Sequence, residues 1–230
     1  MIPKIIHYCW FGGNPLPEDV KKYIATWKSY LPDYEIKQWN ELNFDVHCCK
    51  YVEEAYAQKK WAFVSDVARV YALCQEGGIY IDTDVEVVRS FDSLLNNRMF
   101  LGFEGTEWVG TNIFASEAHH PILEEFYSRY LIRTFVKPDG SLDLTTNVKE
   151  LTEFLTNNYN LILNGKEQEL SLFHIYPTDY FSPYDYIQDK LHKTKNTYSI
   201  HWYAKSWVHE SSFRKRLSIL YHRLLGIRMK

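Results

Sequence analysis

The stretch Ala62 to Val85, "AFVSDVARVYALCQEGGIYIDTDV", constrains the fold more than any other part of this chain. Val64, Val67, Ala68, Tyr71 and Cys74 recur at helical spacing, so an apolar stripe runs through 62–76. Gly77 and Gly78 then stop the helix, because glycine accepts the backbone angles that close a helix C-terminus. A short apolar strand, "IYID", follows with no linker. A helix that runs straight into a buried strand is one step of an alternating α/β fold. The strand ends in two carboxylates, Asp82 and Asp84, with one threonine between them. Two like charges this close repel each other unless something positive lies beside them.

The same alternation extends along the chain. "KIIHYCWF" reads as a strand closed by Gly12-Gly13 and two prolines, and 17–30 as a helix with Val20, Ile24 and Trp27 on one face. "YEIKQW" alternates like a second strand, and 47–58 is weakly helical. After the central unit come strands at "VEVV", "MFLGFE" and "NIFAS", helices over 121–133 and 146–157, and late strands at "LFHIYP" and "TYSIHW". The expectation is an α/β fold with a central, mainly parallel sheet flanked by helices. With no internal repeat and no low-complexity linker, 1–210 reads as one domain.

In open α/β sheets ligands bind beyond the carboxyl ends of the strands, which is where Asp82 and Asp84 stand. A hard divalent cation resolves their repulsion. Mg²⁺ in particular is held by one or two carboxylates together with substrate phosphates. An Asp-x-Asp in a solvated turn is the ordinary alternative. Its context, an apolar strand fed by a helix carrying Ser65, Asp66 and Arg69, favours a site. Asp66 and Arg69 are three residues apart and share one side of the helix. Either they form a plain surface ion pair, or Asp66 accepts sugar hydroxyls and Arg69 offers its planar fork to phosphate or sugar.

Together "IPKIIHYCWFGG", "SDVARVYALCQEGGIYIDTDV" and "IHWYAKSW" resemble glycosyltransferase family 32, the DXD sugar transferases related to the catalytic domains of the large clostridial toxins. The resemblance spans roughly residues 2 to 207 and implies a GT-A, Rossmann-like fold. It also implies a nucleoside-diphosphate-sugar donor, Mn²⁺ or Mg²⁺, and transfer with retention of anomeric configuration. Carried onto this chain, it implies that Trp10 stacks on the nucleobase, that Ser65, Asp66 and Arg69 hold the donor sugar and phosphate, and that Tyr80 lies beside the donor. Asp82 would reach ribose or metal, Asp84 would bind the metal directly, His201 or Ser206 would complete its shell, and Trp207 would close over the diphosphate. Asn112 would touch donor or acceptor sugar; Glu104 and Glu107 are further site carboxylates to consider. A mixed oxygen and imidazole donor set favours Mn²⁺. The ordinary reading of His201, Trp10 and Trp207 is core packing. The family's Gly-Pro at the mid-chain helix start is replaced here by "LTTNVKEL", on the acceptor side.

The 230 residues carry a net charge of −3, yet Ser211–Lys230 holds six Lys or Arg and no acid, leaving −9 on 1–210. Phe213, Leu217, Leu220, Leu224 and Ile227 keep helical spacing among Arg214, Lys215, Arg216, Arg223 and Arg228. A basic amphipathic helix of this kind lies on anionic membrane surfaces; packing on the acidic body is the other option. Because the basic residues form one short tail and not a groove, nucleic-acid binding is disfavoured. The four cysteines, two of them adjacent, suggest no disulfide framework or C-x-x-C metal site, and no signal peptide is visible at the N-terminus. The reading is therefore cytoplasmic, on the inner face of the cell membrane, with a bacterial surface polysaccharide or lipid-linked glycan as acceptor. Other readings are a metal-dependent nucleotide-sugar hydrolase or pyrophosphorylase, and a carbohydrate-binding protein without turnover.

Overall fold

The structure, a computed structural model, describes residues 1–204. The helix expected at 211–230, together with Ser206 and Trp207, lies outside the described residues. The elements in chain order are β1 (Ile5–Cys9), α1 (Glu18–Tyr30), β2 (Glu35–Trp39), α2 (Lys50–Ala57), α3 (Trp61–Glu76), β3 (Gly78–Ile81) and β4 (Val85–Val87). They continue with β5 (Met99–Glu104), β6 (Trp108–Ser116), α4 (Pro121–Leu131), α5 (Asn147–Tyr159), β7 (Gln168–Glu169) and β8 (His174–Tyr176). The last are α6 (Thr178–Phe181), β9 (Tyr184–Asp185), β10 (Lys190–Leu191) and β11 (Ser199–His201).

Seven strands form one sheet in the order β2-β1-β3-β6-β5-β8-β7. The pairings β1–β2, β1–β3 and β5–β8 are parallel, and only β6 and β7 run against the rest, so the expected mainly parallel sheet is present. The chain leaves β1 for β2 on one side, then crosses back through α2 and α3 to place β3 on the other side of β1. The strand order therefore reverses between β1 and β3, the position where open α/β sheets leave a crevice at their carboxyl ends.

Side-chain alternation divides the interior into two layers. Ile79 and Ile81 point to a core shared with Val20, Ile24 and Trp27 of α1. Tyr80, between them, points to the opposite core, built with α2, α3, α4 and α5. Successive strand residues face opposite sides, and because both sides are covered, β3 reads as a continuous apolar run without polar alternation.

The paired glycines are required by close backbone approaches. A Cβ on Gly77 (φ +64) would lie 2.6 Å from the Ala118 amide nitrogen, and one on Gly78 (φ +104) 2.6 Å from the Ile5 carbonyl oxygen. Nearby, the buried His7 is held by two hydrogen bonds. Its Nε2 donates to the Gly77 carbonyl at 2.8 Å, and its Nδ1 accepts from the Trp39 indole at 3.0 Å. Burial lowers its pKa, and the indole N–H needs the lone pair a second proton would occupy, so His7 is neutral.

The strands expected at "VEVV" and "TYSIHW" do not join the main sheet. They pair with each other as an antiparallel ribbon, β4–β11, with His201 opposite Val85. This ribbon brings the far end of the described chain back to the Asp-x-Asp turn.

Candidate active site

The turn between β3 and β4 carries Asp82 and Asp84. The Asp82 amide donates to the Asn112 carbonyl at 2.8 Å, extending the β3–β6 ladder by one residue. Its Oδ1 accepts from the Tyr80 hydroxyl at 2.8 Å and lies 3.3 Å from Arg69 Nη1. Asp84 is held from the other side: its Oδ2 accepts the Ala204 amide at 2.8 Å, and its Oδ1 lies 3.3 Å from His201 Nε2. The Asp84 carbonyl also accepts the Trp202 amide at 3.0 Å. Among the described residues, Asp82, Asp84 and His201 form a group able to hold a metal ion, their ligand atoms all within 4.8 Å of one another.

Arg69 underlies this cluster. Its Nη2 is 3.2 Å from Asp66 Oδ1, which confirms that the two share one helix side. Its Nε donates to the Ser65 carbonyl at 3.2 Å and its Nη1 to the Thr111 carbonyl at 3.0 Å. The guanidinium also sits 4.5 Å from the centroid of the Tyr80 ring. Arg69, expected with Asp66 to hold the donor sugar and phosphate region, engages its fork within the protein through these contacts and sets the positions of Asp66 and Asp82. Tyr80, expected beside the donor, is 2 % exposed and reaches the site through Asp82. Ser65 contributes its carbonyl to Arg69. Trp10 is half-buried just beyond β1, its indole nitrogen donating to the Asn14 carbonyl at 2.7 Å.

The electrostatics show excess negative charge. Burial raises the Asp66 carboxyl to about 6, although Arg69 opposes the shift. Burial likewise raises Asp82, against Arg69, and Glu104, against His201 and its hydrogen bond from Tyr203. For Asp84, burial is outweighed by the His201 charge and by the Ala204 amide, and its pKa falls below the usual carboxylate value. Burial also works against the charged form of His201, but Asp84, Glu104 and Asp82 prevail and its pKa rises. Four carboxyls thus share their surroundings with one guanidinium and one imidazole. The buried Nδ1 of His201 has no hydrogen-bond partner among the described residues. Surplus carboxylate oxygens with the His201 Nε2 beside them fit a divalent cation.

Asn112 lies beside the turn, its carbonyl accepting the Asp82 amide. It is 3 % exposed, its Oδ1 accepts from Ser182 Oγ at 3.4 Å, and its Nδ2 has no partner among the described residues. Glu104 lies at the cluster, whereas Glu107 lies at the exposed tip of the β5–β6 hairpin. Two contributors gave no local signal. The Asn147 amide, at the start of α5, donates to the Asp66 carboxylate. Tyr203 holds Glu104 and packs on His201 with ring centroids 3.9 Å apart.

Residues 17–101 match the family model described as "Glycosyltransferase sugar-binding region containing DXD motif". The chain is 29% identical over 133 residues to inositol phosphoceramide mannosyltransferase 3 of Schizosaccharomyces pombe, covering 53% of this chain and 35% of that protein. It therefore spans about a third of that relative's length. Among solved structures, the PaToxG glycosyltransferase superposes with a TM-score of 0.52 at 19% identity over 68% of each chain. The galactosyltransferase LgtC, solved with donor and acceptor sugar analogues, superposes with a TM-score of 0.50 at 11% identity, covering 94% of this chain and 95% of that one. Fold and site together define a GT-A fold that carries a DXD region at the carboxyl end of β3, in agreement with the resemblance read from the sequence.

Proposed function

We propose that this chain moves a hexosyl unit from a nucleoside-diphosphate sugar, with UDP the favoured nucleotide, to a hydroxyl of a glycan or lipid-linked acceptor. The observation that carries this reading is the convergence of Asp82, Asp84 and His201 at the carboxyl end of β3, beside the strand-order reversal of a GT-A sheet. The three side chains would hold Mn²⁺, the ion best matched to two carboxylates and an imidazole. When bound, the cation supplies positive charge to the diphosphate as its bond to the anomeric carbon breaks. Arg69 keeps Asp82 and Asp66 in place. Asp66 accepts hydrogen bonds from sugar hydroxyls, and the unpartnered Asn112 amide donates one. Trp10, beyond β1, offers a ring to the base. No described carboxylate stands out as a covalent nucleophile, which favours retention by attack from the face the diphosphate leaves.

A relative named for transfer to inositol phosphoceramide supports a lipid-linked acceptor. The basic segment 211–230 would then hold the protein on an anionic membrane surface at the cytoplasmic side, each charge contributing about 1 kcal/mol near such lipid. No helix among the described residues is long and apolar enough to cross a membrane. Full-length protein is expected to sediment with phosphatidylserine vesicles and a 1–210 truncation to remain free; equal sedimentation of the two removes the membrane role.

A thermal-shift panel of nucleotide sugars, with and without Mn²⁺, tests the central reading. One donor is expected to raise the midpoint only with the metal, because a ligand at about 100 times its Kd adds about 2.7 kcal/mol. Protons compete with the cation for His201, whose pKa lies above its ordinary 6.5. The Mn²⁺-dependent shift is therefore expected to shrink as pH falls from 8 to 5.5, by up to about tenfold in affinity per unit. A shift independent of metal and pH would point to a plain carbohydrate-binding protein. Pyrophosphate exchange into the donor would point to a pyrophosphorylase.

A further inference from the structure

The β5–β6 hairpin presents an exposed aromatic residue on a braced support. Trp108 is 41% exposed and pairs across the hairpin with Glu104. Thr178 Oγ holds the tip through the Gly105 carbonyl at 2.5 Å, and Gly165 packs so close to Thr106 that a Cβ there would lie 3.0 Å away. Thr152 of α5 ties down the base of the hairpin. Its hydroxyl accepts the Val109 amide at 2.9 Å and donates to the Val148 carbonyl at 2.6 Å. An indole that remains exposed on a strand fixed this firmly is already positioned for a ligand.

Trp108 lines a groove of about 420 Å³ with Glu107, Glu153, Thr156, Asn157 and Leu163. That volume lies within the range of small-molecule sites, and the lining residues are mostly polar, with Trp108 and Leu163 as the apolar ones. The lining contains no lysine or arginine, and its two carboxylates repel an anion, which excludes a phosphate or nucleotide. An aromatic face that carries negative charge suits the C–H face of a sugar ring, and the carboxylates and amide suit its hydroxyls. The groove sits at the tip of the hairpin whose strands lead to the candidate active site. Trp108 is three residues along β6 from Thr111, about 10 Å, and Thr111 holds Arg69. Glu104, opposite Trp108, faces His201, Asp82 and Asp84.

We propose that this groove is an acceptor subsite for a neutral oligosaccharide, with Trp108 as its stacking platform. It holds sugars remote from the hydroxyl that receives the transferred unit. This inference rests on the transferase reading above.

The test uses full-length protein with UDP and Mn²⁺, titrated with lactose, mannotriose and chitotriose. The readout is the Trp108 indole N–H resonance, assigned by its loss in Trp108→Phe. At least one sugar is expected to shift it. Trp108→Ala is expected to weaken that sugar's binding about tenfold, Trp108→Phe to restore most of it, and Glu153→Gln to weaken it severalfold. Circular dichroism melting of each variant checks folding. The subsite is overturned if no sugar moves the resonance, or if Trp108→Ala binds as tightly as wild type. Donor hydrolysis by the wild-type protein separates the two levels. If it is Mn²⁺-dependent, the transferase reading stands whatever the groove does. If wild type hydrolyses no nucleotide sugar, groove binding marks a lectin-like site and the acceptor assignment fails.

Discussion

Asp84→Ala is expected to lower Mn²⁺-dependent donor hydrolysis by about 10²–10³-fold, the usual loss when one preorganised electrostatic contact to a developing charge is removed. The carboxylate has three connections: it belongs to the candidate metal group, it faces His201, and it caps the Ala204 amide. Its depressed pKa means that it stabilises the folded state above the ordinary carboxylate range and that this contribution fades as pH falls through the folded value. Part of the alanine effect is therefore structural. Asp84→Asn separates the parts, because the amide oxygen can still accept from Ala204 but carries no charge for a cation. The asparagine variant is expected to melt between alanine and wild type, since it keeps the Ala204 contact but not the charge facing His201, and to lose hydrolysis as fully as alanine does. Hydrolysis rates and melting midpoints of both variants, with and without Mn²⁺, provide the check. An asparagine variant that keeps wild-type hydrolysis would remove the metal from the mechanism.

The second large effect is expected at Arg69. Its side chain is 7% exposed and pairs with Asp66 and Asp82, themselves 13% and 26% exposed. Removing one partner of a buried ion pair leaves the other charge uncompensated and costs about 3–5 kcal/mol. At 2–4 °C per kcal/mol for a chain of this size, Arg69→Ala is expected to melt roughly 6–20 °C below wild type at pH 8. The pH dependence has a definite sign. Burial already raises both carboxyls and Arg69 holds them back, so without it both rise further. The variant's folded state then binds more protons than its unfolded chain, whose aspartates titrate near 3.9. Its stability therefore falls as pH rises through the raised values. The deficit against wild type is expected to be largest at pH 8 and smaller near pH 5, read by melting at both. Arg69→Lys keeps the charge but not the fork that reaches the Ser65 and Thr111 carbonyls, and is expected to fall between the two. An alanine variant within 2 °C of wild type at both pH values would contradict the buried cluster.

How far the site could be read in advance varied with the range of the interactions involved. The unit from Ala62 to Asp84 was legible because helical spacing, a glycine stop and an apolar strand are all local signals, and α3 and β3 form almost where the pattern predicts. The Asp66–Arg69 pairing was legible for the same reason, since residues three apart on a helix must be neighbours. The other contacts Arg69 makes within the protein were not, because the Thr111 carbonyl it reaches lies 42 residues away on another strand. His201 was open to two readings, core packing or ligation. The β4–β11 register decided what it faces by setting it opposite Val85, next to Asp84. Trp108 carried no local mark at all, because an exposed tryptophan and a buried one look alike in sequence.

By itself, then, the sequence determined the alternation of helices and strands, the glycine stop and the two carboxylates at a strand end. Each of these follows from residues within a turn or two of one another. The tertiary structure decided which buried charges meet, that Arg69 supports the cluster from beneath, and that His201 completes it. The physical reason is that those contacts join strands distant along the chain, and their register is set by the packing of both cores and not by any local preference.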